Sequence, residues 1–250
     1  MLTSERHQLI LQIVKEQGVV KIQDLVDATQ ASESTIRRDL TVLEEEQFLK
    51  RVHGGAAKLH GMIIEPSMPE KVNRNLSEKQ KIAKFAASLV EEGDCIYLDA
   101  GSTITEMIDY LPEKDLVVVT NGLMHVERLL DKGIRVYVTG GYAKAGTRAL
   151  AGGSALISLE QYHFDKCFLG ANGIHTVHGF TTPDPEEALV KKKALSMSRE
   201  TFVLADNTKF GEISFAKITD LKKITIITDA LDEDIIDLYK DKTTVRVVTS

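Results

Sequence analysis

The chain has 250 residues, 43% of them hydrophobic and 27% charged, with 31 Lys or Arg against 37 Asp or Glu and a formal net charge of −6. That length and composition fit a globular protein able to bury real cores, and the negative balance argues against a chain coated in nucleic acid. No apolar run is long enough to span a bilayer and the N-terminus MLTSERHQLI has no signal-peptide core, so a cytoplasmic location without a membrane partner is expected.

Two cysteines, Cys95 and Cys167, are too few for a disulfide framework, and both sit in apolar runs, so buried reduced thiols are expected. No spacing resembles a zinc site, and no metal or cofactor is expected. Residues 1–60 hold eight Lys or Arg and nine Asp or Glu, so any nucleic-acid contact there depends on local placement.

Three helices are expected in that span. The first follows Thr3 or Ser4 as cap, carries Ile10, Leu11, Ile13 and Val14 at helical spacing, and stops at Gly18. The second runs from about Ile22 to Ala28, with Ile22, Leu25 and Val26 on one face. After the turn TQAS, Ser32 caps a third helix, with Glu33 at its positive end. Ile36, Leu40 and Leu43 form its buried stripe, Ser34, Arg38 and Thr41 fall opposite, and Arg37 lies to one side. Small hydroxyls beside arginine suit a helix that enters a major groove. The candidates there are Ser32, Ser34, Thr35, Arg37, Arg38 and Thr41. A capped helix with two arginines is by itself more often solvated surface.

FLKRVHGGAAKL follows, with short alternation around a Gly54-Gly55 turn, and reads as a two-stranded hairpin. Three helices and a basic hairpin make a winged helix-turn-helix, whose wing carries Lys50, Arg51, His53 and Lys58. The stretches SESTIRRDL and LEEEQFLKRVHGGA closely resemble the N-terminal signature of the DeoR family of bacterial repressors over residues 3–58. The departure is Gln47, where that family usually has glycine.

Residues 61–76, with Pro66 and Pro69 as breakers, are expected to link this domain (1–60) to a second one (77–250). SEKQKIAKFAASLVEEG reads as a helix capped by Ser77 and ended by Gly93. Strands are then expected at CIYLD, LVVVT, IRVYVTG, KCFLGA, TFVLAD, ITIITD and VRVVTS, with helices near 103–110, 123–131, 154–160, 185–199 and 232–239. That alternation is α/β with a largely parallel sheet, whose ligands bind beyond the carboxyl ends of the strands.

The turns at those ends hold the candidate ligand residues: Asp99, Gly101, Ser102 and Thr103 in DAGST, then Thr120, Asn121 and Gly122, then Gly140 and Gly141. Gly170, Asn172 and Gly173 follow in GANGI, and Asp206 and Lys209 in DNTKFG. Each turn alone is a weak signal, because such turns favour these residues for conformational reasons. DAGST, leading into a helix, is the one best suited to a phosphate. In TTPDPEEALVKKKAL, Asp184 caps a helix, and Glu187 and Lys191 stand at i, i+4 as a surface ion pair or, alternatively, as ligand-facing groups.

DAGST, GANGI, PEEALVKKKALS and ADNTKFG, in this order, resemble the C-terminal sensor domain of DeoR-type repressors, extending the likeness to about residues 3–245. That resemblance implies a fold similar to ribose-5-phosphate isomerase and a phosphorylated sugar as effector. It implies that Asp99, Gly101, Ser102, Thr103, Asn172, Asp184, Glu187, Lys191 and Lys209 line or support the pocket. LTSERHQLI, ASESTIRRDL and FLKRVHGGAAKL are most similar to the fructose operon repressors of Gram-positive bacteria, which implies fructose 1-phosphate. The expected function is an operator-binding repressor, a homodimer or homotetramer because operators come in repeated half-sites. The competing reading is a sugar-phosphate isomerase or deaminase with Asp99, Asp184 or Glu187 as its base, which the fused winged helix disfavours.

Overall fold

The computed structural model describes residues 1–46, 48–52, 54–58, 61–112 and 115–248. They form two compact units, Met1–Gly61 and Met62–Ser250.

The smaller unit runs α1 (Thr3–Gln17), β1 (Val19–Lys21), α2 (Ile22–Thr29), α3 (Glu33–Glu45), β2 (Leu49–Val52) and β3 (Gly55–Lys58). Its core joins Ile10, Val14, Leu25, Ile36, Leu40, Leu43 and Leu49, so the stripe read on the third helix is the buried one. Ser32 is the N-cap of α3, its hydroxyl accepting from the Thr35 amide at 3.3 Å. At α1 the cap differs from expectation. The helix starts at Thr3 with Leu2 in the cap position, and the Glu5 carboxylate accepts from the Leu2 amide at 2.9 Å. The acid at the third helical position, in the first turn, rather than a hydroxyl, satisfies the first free donor.

The hairpin gains a strand that its sequence did not announce: β1 pairs with β3, making a three-stranded antiparallel sheet in the order β1-β3-β2. The register places Gly55 opposite Lys21, where a Cβ would lie 2.0 Å from the Val20 carbonyl oxygen. Only glycine permits that approach. Gln47 and His53 lie outside the described residues.

In the larger unit come α4 (Met68–Asn73), α5 (Leu76–Ala87), β4 (Cys95–Leu98), α6 (Ser102–Met107), β5 (Val117–Thr120), α7 (His125–Asp131), β6 (Arg135–Val138), β7 (Tyr142–Ala143) and β8 (Leu150–Ala151). Then follow α8 (Gly153–Leu159), β9 (Phe164–Gly170), β10 (Gly173–His175), β11 (Gly179–Thr182), α9 (Pro185–Ser196), β12 (Ser198–Leu204), β13 (Ala216–Thr219), β14 (Thr225–Thr228), α10 (Glu233–Tyr239) and β15 (Thr244–Val247). All seven expected strands pair in one parallel sheet, ordered β15-β14-β12-β9-β4-β5-β6. Tyr97, Cys167, Leu169 and Val203 face a core shared with α8, α9 and α10, while Ile96, Leu98, Phe168 and Leu204 face one shared with α5, α6 and α7. This period-two alternation covers both faces with helices.

Several boundaries move. Residues 61–76 carry α4, whose Met68 is buried and donates its amide to the Gly146 carbonyl at 2.8 Å. Ser77 sits inside α5, whose cap is Asn75 at φ 52°, and that helix ends at Ala87 rather than Gly93. The α9 helix stops at Ser196 because Ser198 already pairs with Phe164 in the sheet. Cys167 is buried, but Cys95 at the strand entrance is only partly so. Two small antiparallel sheets, β10-β11-β13 and β7-β8, lie beside the main one.

Candidate nucleic-acid interface and ligand site

On α3, Ser34, Arg37 and Arg38 are exposed, and Thr35 and Thr41 are half-buried. The two arginines differ in what they touch. Arg37 lies against Glu33, Nε and Nη2 donating to Oε1 at 2.9 and 2.6 Å. Arg38 has no hydrogen-bond or ion-pair partner among the described residues and projects its guanidinium into solvent. The Ser32 hydroxyl is within hydrogen-bond distance of Ser34 Oγ (3.0 Å) and Thr35 Oγ1 (2.8 Å).

The wing is tied to this helix. Arg51 on β2 donates from Nη1 to Thr41 Oγ1 at 2.9 Å, and its amide donates to Glu44 at 2.7 Å. Thr41 in turn donates to the Arg37 carbonyl at 3.0 Å. Thr41 therefore acts as the strut between helix and wing, and Lys50 sits half-buried beside Arg51 on the same strand.

Sequence reasoning missed Asp39. It is 5% exposed, on the inner side of α3, and accepts from Arg6 Nε at 2.5 Å, Arg6 Nη2 at 3.0 Å and His7 Nε2 at 3.1 Å. Burial opposes its ionisation, but the hydrogen bonds from Arg6 and His7 outweigh it and hold the carboxyl below its ordinary value. The clamp ties α3 to α1. Its sequence signal was an acid three residues after Ile36, in the buried stripe.

In the larger unit the strand order reverses between β4 and β9, the crevice where open α/β sheets hold ligands. Asp99 stands there at the end of β4, 1% exposed. Its Oδ2 accepts from the Gly170 amide at 2.9 Å and from Lys191 of α9. Burial works against the Lys191 ammonium, and the charges of Asp99 and Glu187 more than offset it, so its proton is held more firmly than usual. Glu187 and Lys191 are thus not a surface ion pair. Both are buried, and each has a different partner.

Glu187 receives Lys144 and the Thr147 hydroxyl, the latter at 2.8 Å. Lys144 also reaches Asp184 at 2.6 Å, while Asp184 caps α9 through the Glu186 and Glu187 amides at 2.7 and 3.1 Å. Lys144 and Thr147 lie in the loop between β7 and β8, some forty residues away in sequence, and no periodicity marked them.

Ser102 and Thr103 open α6, nearly buried, and no side-chain hydrogen bond engages either among the described residues. Their hydroxyls remain available to a ligand. Gly101 donates its amide back to the Asp99 carbonyl at 2.7 Å.

The turn after β5 has a different role. Thr120 donates to Leu98 O at 2.7 Å and lies 2.8 Å from His125 Nδ1, and Asn121 accepts from the Ala100 amide and donates to Leu150 O. At Gly122 a Cβ would lie 2.7 Å from His125 Nδ1. These residues brace the DAGST turn from behind, and His125, its pKa pushed down to about 3 by burial, stays neutral there. Asn172 accepts from the Thr182 hydroxyl at 3.1 Å, and at Gly173 a Cβ would come within 2.4 Å of the Glu212 carbonyl oxygen, so both shape a turn. Gly140 is exposed beside Ser154.

Asp206 caps the short 3-10 helix 207–209 and lies 4.0 Å from Lys209. Burial raises and Lys209 lowers its pKa, with Lys209 and the Thr208 hydrogen bonds prevailing. Among the described residues no His, Cys, Asp or Glu grouping could hold a metal ion, and no helix is long and apolar enough to cross a membrane.

Residues 6–61 match the family described as the DeoR-like helix-turn-helix domain, and residues 74–230 match the DeoR C terminal sensor domain. The chain is 57% identical over 249 residues, 99% of each protein, to a Bacillus subtilis (strain 168) protein called an uncharacterized HTH-type transcriptional regulator FruR. It is 35% identical over 239 residues, 94% of this chain and 95% of the other, to a lactose phosphotransferase system repressor of Streptococcus mutans. A ribose 5-phosphate isomerase A structure from Methanocaldococcus jannaschii aligns over 54% of this chain and 55% of its own at 21% identity and TM-score 0.42.

Proposed function

Because the chain belongs to the DeoR family of transcriptional regulators, we propose that it represses a fructose-utilisation operon under the control of fructose 1-phosphate. Arg38 carries the DNA half of this reading: it is an exposed guanidinium without a partner among the described residues, on a helix whose other faces are capped, clamped and packed. Arg38 and Ser34 would meet base edges, and Arg37, Lys50 and Arg51 the phosphate backbone. A relative named FruR at 57% identity supports the sugar. The Ser102 and Thr103 hydroxyls, beside the buried Asp99–Lys191 pair at the sheet's crevice, support a polar, anionic effector.

Catalysis is the weaker reading on chemical grounds. Each candidate base already has a cation on it: Asp99 holds Lys191, while Asp184 and Glu187 hold Lys144. Each is engaged inside the fold rather than left free to meet a substrate. Repeated half-sites call for a homodimer or homotetramer.

The test is titration of full-length protein against a labelled operator with fructose 1-phosphate, fructose 6-phosphate and fructose. Fructose 1-phosphate is expected to shift the operator affinity about 5–150-fold, the usual range of allosteric coupling. An unchanged affinity with every sugar phosphate would overturn the sensor reading.

A further inference from the structure

The two edges of the seven-stranded sheet are built differently. β15 carries a charge at its centre, with Thr244 and Arg246 exposed. A charged side chain on an edge strand keeps other strands from adding to it. β6 has no such guard. Tyr137 and Val138 are 43% and 40% exposed, and the strand's one charge, Arg135, stands at its entrance. Leu130 beside that entrance and Tyr142 beyond the other end are exposed as well.

Among the described residues no strand pairs with the outer side of β6. Its inner side is bonded to β5, and the Thr139 amide donates to the Thr120 carbonyl at 3.0 Å. Backbone groups alternate in direction along a strand, so Val136 and Val138 present their N–H and C=O groups outward. The Tyr137 ring is held against Tyr162, centroids 5.8 Å apart, and Val136 packs on the core of the opposite face.

Such an edge fits itself. A twofold axis normal to the sheet makes two β6 strands antiparallel and keeps each face on its own side, so opposed residues share a face. With the axis at Tyr137, Val136 of each copy lies opposite Val138 of the other, and each pair can exchange both hydrogen bonds. Tyr137 then meets Tyr137, a favourable cross-strand pair. Arg135 meets Thr139, so no like charges face each other. Moving the axis one residue either way sets one valine opposite a residue outside β6.

We propose that two copies of the chain associate by antiparallel pairing of β6 with itself, which joins their sheets into one. The choice of a second copy as occupant rests on the repressor reading, since repeated half-sites need more than one copy.

Sedimentation velocity on the full chain tests it. Tyr137→Lys sets two ammonium groups against each other. The mass is expected to fall by half, with association weakened about a hundredfold or more. Tyr137→Glu is expected to do the same. An equimolar mixture of the two is expected to recover the wild-type mass, which a misfolded variant could not do. Val138→Pro removes an outward amide that the internal ladder does not use, and is expected to separate the copies while the chain stays folded. Opposed residues of the Tyr137 kind stand about 4.5 Å apart, within reach of a disulfide. In a Cys95→Ser background, Tyr137→Cys is therefore expected to cross-link on mild oxidation, and Arg135→Cys is not.

Wild-type mass kept by both charged variants, or no recovery on mixing, overturns the pairing, as does a monomeric wild type. If the wild type still binds a two-half-site operator in that case, the repressor reading stands without this interface. Recovery on mixing without any operator binding keeps the pairing and sinks the repressor reading.

Discussion

The two units place their charges in opposite ways. On α3 the arginines are exposed, Arg37 loosely held by a surface carboxylate and Arg38 by no partner among the described residues. At the crevice of the larger unit the charges are buried or half-buried and closed upon each other, Lys191 on Asp99 and Lys144 on Glu187 and Asp184. A DNA-reading surface must stay hydrated until it meets its polyanion, so its cations cost little when unpaired. A small-ligand site sits in low dielectric, where an unpaired ion is costly, so most of its charges come with partners.

The largest test of the contrast is Asp99→Ala. It leaves the Lys191 ammonium buried without its carboxylate, and the larger unit is expected to lose about 3–5 kcal/mol in denaturant titration. A loss below about 1 kcal/mol would show that the pair behaves as a surface one. Lys191→Met, which leaves the carboxylate its Gly170 hydrogen bond, is expected to cost less.

Next comes Asp39→Asn in the smaller unit, the exception that behaves like the sensor's charges. Removing the acceptor of Arg6 and His7 is expected to cost about 1–3 kcal/mol. The folded carboxyl titrates below its unfolded value. Its stabilisation is therefore fully present above the unfolded pKa of about 4, and is lost as pH falls through the folded pKa. Unfolding curves between neutrality and strong acid should show wild type converging on the variant. Parallel curves would refute the linkage.

Arg38→Ala is expected to cost about 1–3 kcal/mol on the operator and to relax preference at one base pair. Arg37→Ala and Arg51→Ala should weaken operator and random DNA alike and flatten the salt dependence. Equal losses on both DNAs for Arg38→Ala would erase the distinction between the two arginines. The smallest effect belongs to Glu33→Gln, which frees Arg37. Stability should drop only about 0.3–0.5 kcal/mol, as for an exposed i, i+4 pair, while DNA affinity rises.

The five inner parallel strands were legible because strands buried on both faces are continuous apolar runs, and the partly exposed edge strands β6 and β15 because their short runs are rich in valine. β1, β7 and β8 were not legible. They have two or three residues each, and their pairing is decided by what the fold lays beside them. The α5 end was misplaced because the apolar pattern through Leu89 and Val90 continues after the helical hydrogen bonds stop at Ala87. In the candidate ligand site, DAGST and DNTKFG stood out as strand-end turns. Thr120 and Asn121 looked the same, and only their hydrogen bonds to Leu98, Ala100 and Leu150 show that they brace the turn.

The sequence by itself determined the winged helix, its Ser32 cap and buried stripe, and the α/β alternation with polar turns at the strand ends. These follow from contacts within a few residues, where periodicity and capping act. Tertiary structure alone decided which charge meets which. Local spacing offered Lys191 to Glu187, one helical turn away, yet Lys191 lies on Asp99, from 92 positions earlier in the chain. An ammonium buried by strand order must take the carboxylate buried with it, because in low dielectric the cost of an unpaired charge exceeds any preference that helical spacing can express.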